Sequence, residues 1–227
     1  MSFVVPAWEV PSLPVVGSDD VFPVRRIYCV GRNYAAHARE MGMDERDPPF
    51  FFMKPPDAIV QNNSTIPYPV QTKNYHYEGE LVACIGKGGS NIPVDKANDH
   101  IFGYAVGLDM TRRDVQIASR EMGRPWDMGK GFDQSGPCSA IVPAAKIGHP
   151  TKGEVSTKVN GVYKQKGDIA DMIWSTPECI SYLSGLMRLE PGDLLMTGTP
   201  EGVGPVVSGD DILVHVDGVC DLHIKIA

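Results

Sequence analysis

His76-Tyr77-Glu78-Gly79-Glu80-Leu81-Val82-Ala83-Cys84-Ile85 ends in an apolar run, Leu81 to Ile85, and reads as a long strand from Tyr77 to Ile85. Just ahead of that run stand two acids, one residue apart. On an extended backbone side chains alternate between faces, so Glu78 and Glu80 project to the same side. Ile101 to Met110 reads as another strand, and its apolar run, Ile101 to Leu108, ends on an acid, Asp109.

Working outward, Arg26 to Val30 reads as a strand closed by Gly31, and Phe50 to Met53 as a compact strand halted by Lys54-Pro55-Pro56. The segments Val155 to Asn160, Leu194 to Thr197, Ile212 to Val216 and Leu222 to Ile226 are strand-like, and Asn160-Gly161 between Val-rich flanks signals a hairpin. Helical character is confined to Tyr34 to Met41 behind the N-cap candidate Asn33, Thr111 to Met122, and Thr176 to Leu189 with Pro177 in its first turn. The expectation is an α+β, mainly β protein: one mixed-sheet domain over residues 25–227 with about three short helices. Residues 1–24, with Pro6, Pro11, Pro14 and Pro23, read as a Pro-rich arm or a short edge strand.

Composition narrows the class. A chain of 227 residues with 42% hydrophobic and 22% charged residues can bury a core without staples. A net charge of −7 argues against a nucleic-acid partner, which would call for surplus Lys and Arg. The five cysteines are scattered and odd in number, which fits reduced thiols. No apolar stretch approaches the roughly 18 residues that span a bilayer, and Met1-Ser2-Phe3-Val4-Val5-Pro6 does not resemble a secretion signal. A cytoplasmic location without membrane contact is the expectation.

The chemistry-bearing residues form a scattered set. Like carboxylates side by side on one face repel unless a cation lies between them, so Glu78 and Glu80 are candidate ligands of a divalent metal; the alternative is a solvated strand face. Asp109, at the end of a buried run, needs a partner. It can complete a three-carboxylate oxygen shell of the kind that suits magnesium, manganese or calcium, or cap the helix near Thr111, or do both. His37 and Glu40, three apart on the expected first helix, share a face, so Glu40 can orient the imidazole while its other nitrogen takes a proton from water; a surface pair is the plainer meaning. Lys130 sits among glycines and aromatics in Trp126-Asp127-Met128-Gly129-Lys130-Gly131-Phe132, where it can face developing negative charge or simply be solvated. Arg113 and Gln116 share a helix face behind Asp109. Thr197-Gly198-Thr199-Pro200-Glu201-Gly202-Val203-Gly204-Pro205 lacks the lysine of a phosphate-binding loop and is either a turn or a backbone wall for a small substrate.

In order along the chain, Gly31-Arg32-Asn33-Tyr34 with His37 and Glu40, Lys54-Pro55, Glu78-Gly79-Glu80, Leu108-Asp109 with Arg113-Asp114 and Gln116, Lys130, Val159-Asn160-Gly161 and the Thr197–Pro205 loop resemble the fumarylacetoacetate hydrolase family, from about Arg26 to the C-terminus. The likeness is nearest to its short members that hydrolyse acylpyruvates, fumarylpyruvate among them. It implies a mixed β-sheet roll, commonly a homodimer, in which Glu78, Glu80 and Asp109 hold the metal, magnesium first with manganese or calcium as alternatives. The separate N-terminal domain of longer members is absent, as is one further metal-binding acid, so water takes that place. By the same likeness His37 and Glu40 activate water, Lys130 and Gln116 stabilise charge at the attacked carbonyl, and Arg113, Thr199 and Arg32 contact the substrate. Arg32, Lys54 and Lys73 are the candidates to meet a distal carboxylate. The implied activity is metal-dependent cleavage of a 2,4-dioxo acid to pyruvate and a carboxylic acid. Decarboxylation of oxaloacetate, isomerisation of a dioxo acid, and non-catalytic keto-acid binding are the alternatives.

Overall fold

A computed structural model describes residues 3–34 and 47–227. Strands dominate it, and the main sheet is built around the two apolar runs. Gly79–Ile85 is buried along its whole length and pairs antiparallel with Ile101–Leu108 on one side and Asp193–Met196 on the other. The sheet continues through Arg26–Gly31, parallel to Asp193–Met196, to Phe50–Lys54 at one edge. In the other direction it reaches Gly136–Cys138 and then Ile59–Gln61, again a parallel pair. Such continuous apolar strands mark a sheet covered on both faces.

Alternation divides the coverage. Leu81, Ala83 and Ile85 point into a core shared with Val155, Ile212, Val214, Val216, Leu222 and Ile224. Those residues come from a second, five-stranded sheet of order Val162–Asp168, Glu154–Val159, Asp211–Val216, Asp221–Ile226 and Ser64–Ile66. Val82 and Cys84 face the opposite core, with Ile27, Cys29, Ala105, Leu194 and Met196. This side is closed by the hairpin of Ser12–Pro14 and Val21–Pro23, which adds the buried Leu13 and Phe22, and by Val24 just beyond it. The five cysteines are unpaired, and burial pushes the thiols of Cys29 and Cys84 well up.

Three local expectations are revised. The strand expected over Tyr77–Ile85 is broken at Glu78: Tyr75–Tyr77 belongs to a separate small sheet between Thr111–Arg112 and Gly204–Val206. The helix expected from Thr111 begins at Arg113, because Thr111 and Arg112 are taken up as a short strand against His76 and Tyr75. The helix expected to Leu189 ends at Leu186, where Met187 turns extended. More helical turns are present than expected, among them Asp127–Lys130 and Ala144–Ile147. The expected hairpin forms at Asn160 and Gly161, both at positive φ (51° and 77°). The expected helix over Tyr34–Met41 lies largely outside the described residues. Among the described residues no helix is long and apolar enough to cross a membrane.

Candidate metal centre and cleft

Strand register brings the acids together. Gly79 pairs with Leu108 and Glu80 with Gly107, and beyond the last pair Asp109 N–H donates to the Glu78 carbonyl at 2.9 Å. Glu78 and Asp109 are therefore cross-strand neighbours, and Glu80, two residues along on the same face, is the diagonal neighbour of Asp109. A carboxylate oxygen from each lies within 4.8 Å of the others, and all three residues are buried. Opposite Glu80 the face must stay clear: a Cβ at Gly107 would stand 2.6 Å from Val82 Cγ2. Asp109 does not cap the following helix, whose N-cap is Arg112 without a side-chain bond.

Three cations surround this cluster. Lys130 Nζ donates to Glu78 Oε2 and Asp109 Oδ2, both at 2.7 Å. Lys54 Nζ stands 2.8 Å from Asp109 Oδ1 and donates to the carbonyls of Met110 and Lys130. Arg113 pairs with Glu78 Oε1 and donates to Gln116 Oε1 at 2.6 Å. Burial would raise the Glu78 carboxyl, but the charges of Lys130 and Arg113 win and hold it down at about 2. For Lys130 burial is likewise overcome, by Asp109 and Glu78, and its pKa rises. Glu80 is the exception. Burial first, then the charges of Asp109 and Glu78, push its carboxyl well above the usual range. Its ligand is the Gly198 N–H, at 2.7 Å, and no Lys or Arg of the described residues reaches ion-pair distance.

That imbalance tests the fit of a metal. The donors are all hard oxygens, Glu80 has negative neighbours and no cationic contact, and Asp109 Oδ1 is buried beside Lys54 without a well-directed hydrogen bond. A divalent cation among the three carboxylates would supply what Glu80 lacks. The residues fit the group.

The surrounding scaffold is tied by buried side chains. Gln165, 1% exposed, accepts from Gly79 N–H (3.0 Å) and from Thr157 Oγ1 (2.8 Å) and donates to Thr199 Oγ1 (2.7 Å) and the Pro200 carbonyl (2.8 Å). Thr199 in turn donates to the Gly79 carbonyl at 2.9 Å. The residue between Glu78 and Glu80 is thus clamped on both backbone groups. Gly198 turns at φ +99°, where a Cβ would meet Asn33 Cβ at 2.7 Å. Asn33 itself donates to the carbonyls of Trp174 and Thr197, both at 2.8 Å, and accepts from Trp174 N–H. Gly129 lets the turn bearing Lys130 approach the helix bearing Gln116, since a Cβ there would lie 2.8 Å from Gln116 N.

Arg32, Glu78, Glu80, Arg113, Gln116, Lys130 and Thr199 line one cleft of about 260 Å³, together with Arg120 and Trp126. Asp109 is buried behind this lining, joined to it through Lys130 and the carboxylate cluster. His37 and Glu40 lie outside the described residues. Two suggested contacts for a distal carboxylate are not where they would need to be: Lys54 is buried against Asp109, and Lys73 is exposed and away from the cleft lining. Gln165 and Arg120 were not singled out in the sequence. Gln165 carries a faint signal, as the buried residue between exposed Lys164 and Lys166 on a strand.

The model of the fumarylacetoacetate (FAA) hydrolase C-terminal family matches residues 26–227. A fumarylpyruvate hydrolase from Ralstonia sp is 46% identical over 177 residues, 78% of this chain and 92% of that protein. A mitochondrial oxaloacetate tautomerase from Mus musculus is 44% identical over 202 residues, 89% of this chain and 91% of that one. The crystal structure of fumarylpyruvate hydrolase from Pseudomonas aeruginosa in complex with Mn2+ and pyruvate superposes with a TM-score of 0.96 at 53% identity, covering 100% of this chain and 99% of that chain.

Proposed function

Because the chain belongs to the fumarylacetoacetate hydrolase family, we propose that it is a divalent-metal-dependent hydrolase that cleaves the C3–C4 bond of an acylpyruvate, fumarylpyruvate above all, to pyruvate and a carboxylic acid. The observation that carries the reading is the meeting of three buried carboxylates, two of which line a cleft with Lys130, Gln116 and Arg113. The Ralstonia and Pseudomonas relatives support the substrate, and the Mn2+ and pyruvate of the latter support the metal and the product half.

Glu78, Glu80 and Asp109 would hold the metal, which when bound supplies Lewis acidity to the pyruvoyl oxygens. His37, oriented by Glu40, is assigned as the base that takes a proton from water as its oxygen adds to C4. Lys130 and Gln116 offset the negative charge that grows on the C4 oxygen. Collapse breaks C3–C4, leaves the bonding pair on the pyruvate enolate, and a proton then returns to C3. Arg113 acts through its hold on both Glu78 and Gln116, and Thr199 and Arg32 shape the walls. Magnesium as the resident ion, a homodimer and residues 25–227 as the catalytic domain belong to the same reading and are supported by the family likeness; a cytoplasmic setting is supported by the unpaired cysteines.

The mouse relative favours a second reading, tautomerisation of oxaloacetate on the same site. Purified protein with Mg2+ or Mn2+ separates the two. Pyruvate release from fumarylpyruvate and acetylpyruvate, stopped by EDTA and by His37→Ala, supports hydrolysis. Interconversion of enol and keto oxaloacetate with no pyruvate from either acylpyruvate overturns it.

A further inference from the structure

We infer that Arg120, together with Arg32 on a separate wall of the cleft, forms a subsite for a terminal carboxylate on the acyl half of the substrate, and so selects dicarboxylic over neutral acylpyruvates. This rests on the hydrolase reading above and names the substrate class within it.

The cleft's cations sort by partner. Lys130 serves Glu78 and Asp109, and Arg113 serves Glu78 and Gln116, while Lys54 beneath them serves Asp109. Arg120 pairs with no carboxylate among the described residues. It stands in the last turn of the helix Arg113–Glu121, three residues beyond Ile117 on the face that also presents Gln116 and Arg113 to the cleft. Arg32 follows the strand Arg26–Gly31 in a left-handed backbone conformation, φ +58°, a strained choice for a residue other than glycine. Its guanidinium lies 5.8 Å from the centre of the Phe50 ring. Burial first, and then the charge of Arg120, lowers the pKa of Arg32. A carboxylate at the mouth of the cleft that both arginines line would gain a charge-assisted contact from Arg120.

Depth orders the cleft. Glu78, Glu80 and Lys130 are buried, Arg32 is half-buried and Arg120 is exposed, so the cleft runs from a carboxylate floor to a cationic mouth. A substrate whose pyruvoyl end occupies the floor sends its acyl group toward the mouth. In a trans-unsaturated diacid chain the terminal carboxylate lies three bonds past C4 and is held planar and extended. Trp126, which lines the same cleft and packs edge-on to Phe50 at 5.4 Å between ring centres, offers a flat wall beside that path. A neutral acyl group such as acetyl ends before the mouth and gains nothing from either arginine.

The test compares kcat/KM for fumarylpyruvate and acetylpyruvate in the wild type, Arg120→Gln and Arg120→Glu, all with the metal supplied. Loss of a charge-assisted contact of this kind should lower the fumarylpyruvate-to-acetylpyruvate ratio about 10- to 100-fold in Arg120→Gln, chiefly through KM, and further in Arg120→Glu. Arg120 is exposed, so both variants should melt with the wild type. A ratio that stays within about twofold of wild type in both variants, with both substrates still cleaved, overturns the subsite and leaves the hydrolase reading standing. If the wild type cleaves neither acylpyruvate, the hydrolase reading falls and this inference falls with it.

Discussion

Replacing Gln165 by leucine removes four hydrogen bonds at once, and the structure says which partners suffer. Thr199 keeps its bond to the Gly79 carbonyl, but the Gly79 N–H, the Thr157 hydroxyl and the Pro200 carbonyl lose their Gln165 contacts. A buried polar group left unsatisfied costs ~1–3 kcal/mol. The Thr157 hydroxyl can turn and leucine adds apolar contact, so the low end applies to each, for a total of about 3 kcal/mol. In a chain of this size that corresponds to a fall in Tm of roughly 6–12 °C, read by circular dichroism. A second readout separates positioning from mere stability. Gly79 sits between two candidate ligands, so in the folded variant at low temperature the affinity for Mn2+ should drop about 10- to 100-fold, as for other residues that orient ligands. Gln165→Glu keeps an acceptor for Gly79 but loses both Nε2 donations, and it should fall between leucine and wild type in metal affinity. A leucine variant that melts within about 2 °C of the wild type and binds Mn2+ equally well would refute the clamp.

Three further outcomes follow from the same geometry. Lys130→Met should lower turnover about 10²–10³-fold without weakening metal binding, because the Lys130 ammonium contacts two of the carboxylates a metal would use; parallel loss of both would sink the assigned role. Divalent cation at about 100 times its Kd should stabilise the EDTA-treated protein by about 2.7 kcal/mol, and Glu80→Gln should abolish most of that increment; a melting temperature indifferent to Mg2+ and Mn2+ counts against the metal centre. On the far surface, His215 lies 2.6 Å from Asp221 and 3.0 Å from Asp217, and the hydrogen bond to Asp221 leads in raising its pKa above 6.5. The folded state therefore binds its proton more tightly. The gain is complete below 6.5 and is lost as pH rises through the higher folded value. His215→Ala should destabilise slightly at low pH, by less than about 1 kcal/mol for so exposed a pair, and not at alkaline pH; an equal loss at both ends would contradict this.

Much of the architecture was legible in the chain because its signals are local. The apolar runs ending at Ile85 and Leu108, the glycine–asparagine chemistry at residues 160–161 and the strand segments near the C-terminus each depend on side-chain alternation or backbone freedom within a few residues. The facing of Glu78 and Glu80 survived the break between two sheets, because the Asp109 N–H still meets the Glu78 carbonyl in register with the Gly79–Leu108 pair. Errors fell where a neighbour distant in sequence outbid local preference: Thr111 and Arg112 have helical character, yet pairing with Tyr75 and His76 makes them a strand.

Residue types alone thus determined a strand-rich domain and named the acids able to grip a cation. Whether Asp109 capped a helix or joined the cluster was settled by its register against Glu78. The burial of Lys54 under the site, the clamp by Gln165 and the place of Arg120 in the cleft were likewise decided by tertiary structure alone. The physical reason is common to all of them. A polar side chain's role is set by what the fold places opposite it and by how much water is excluded there, and neither quantity is written in the residues next to it in the chain.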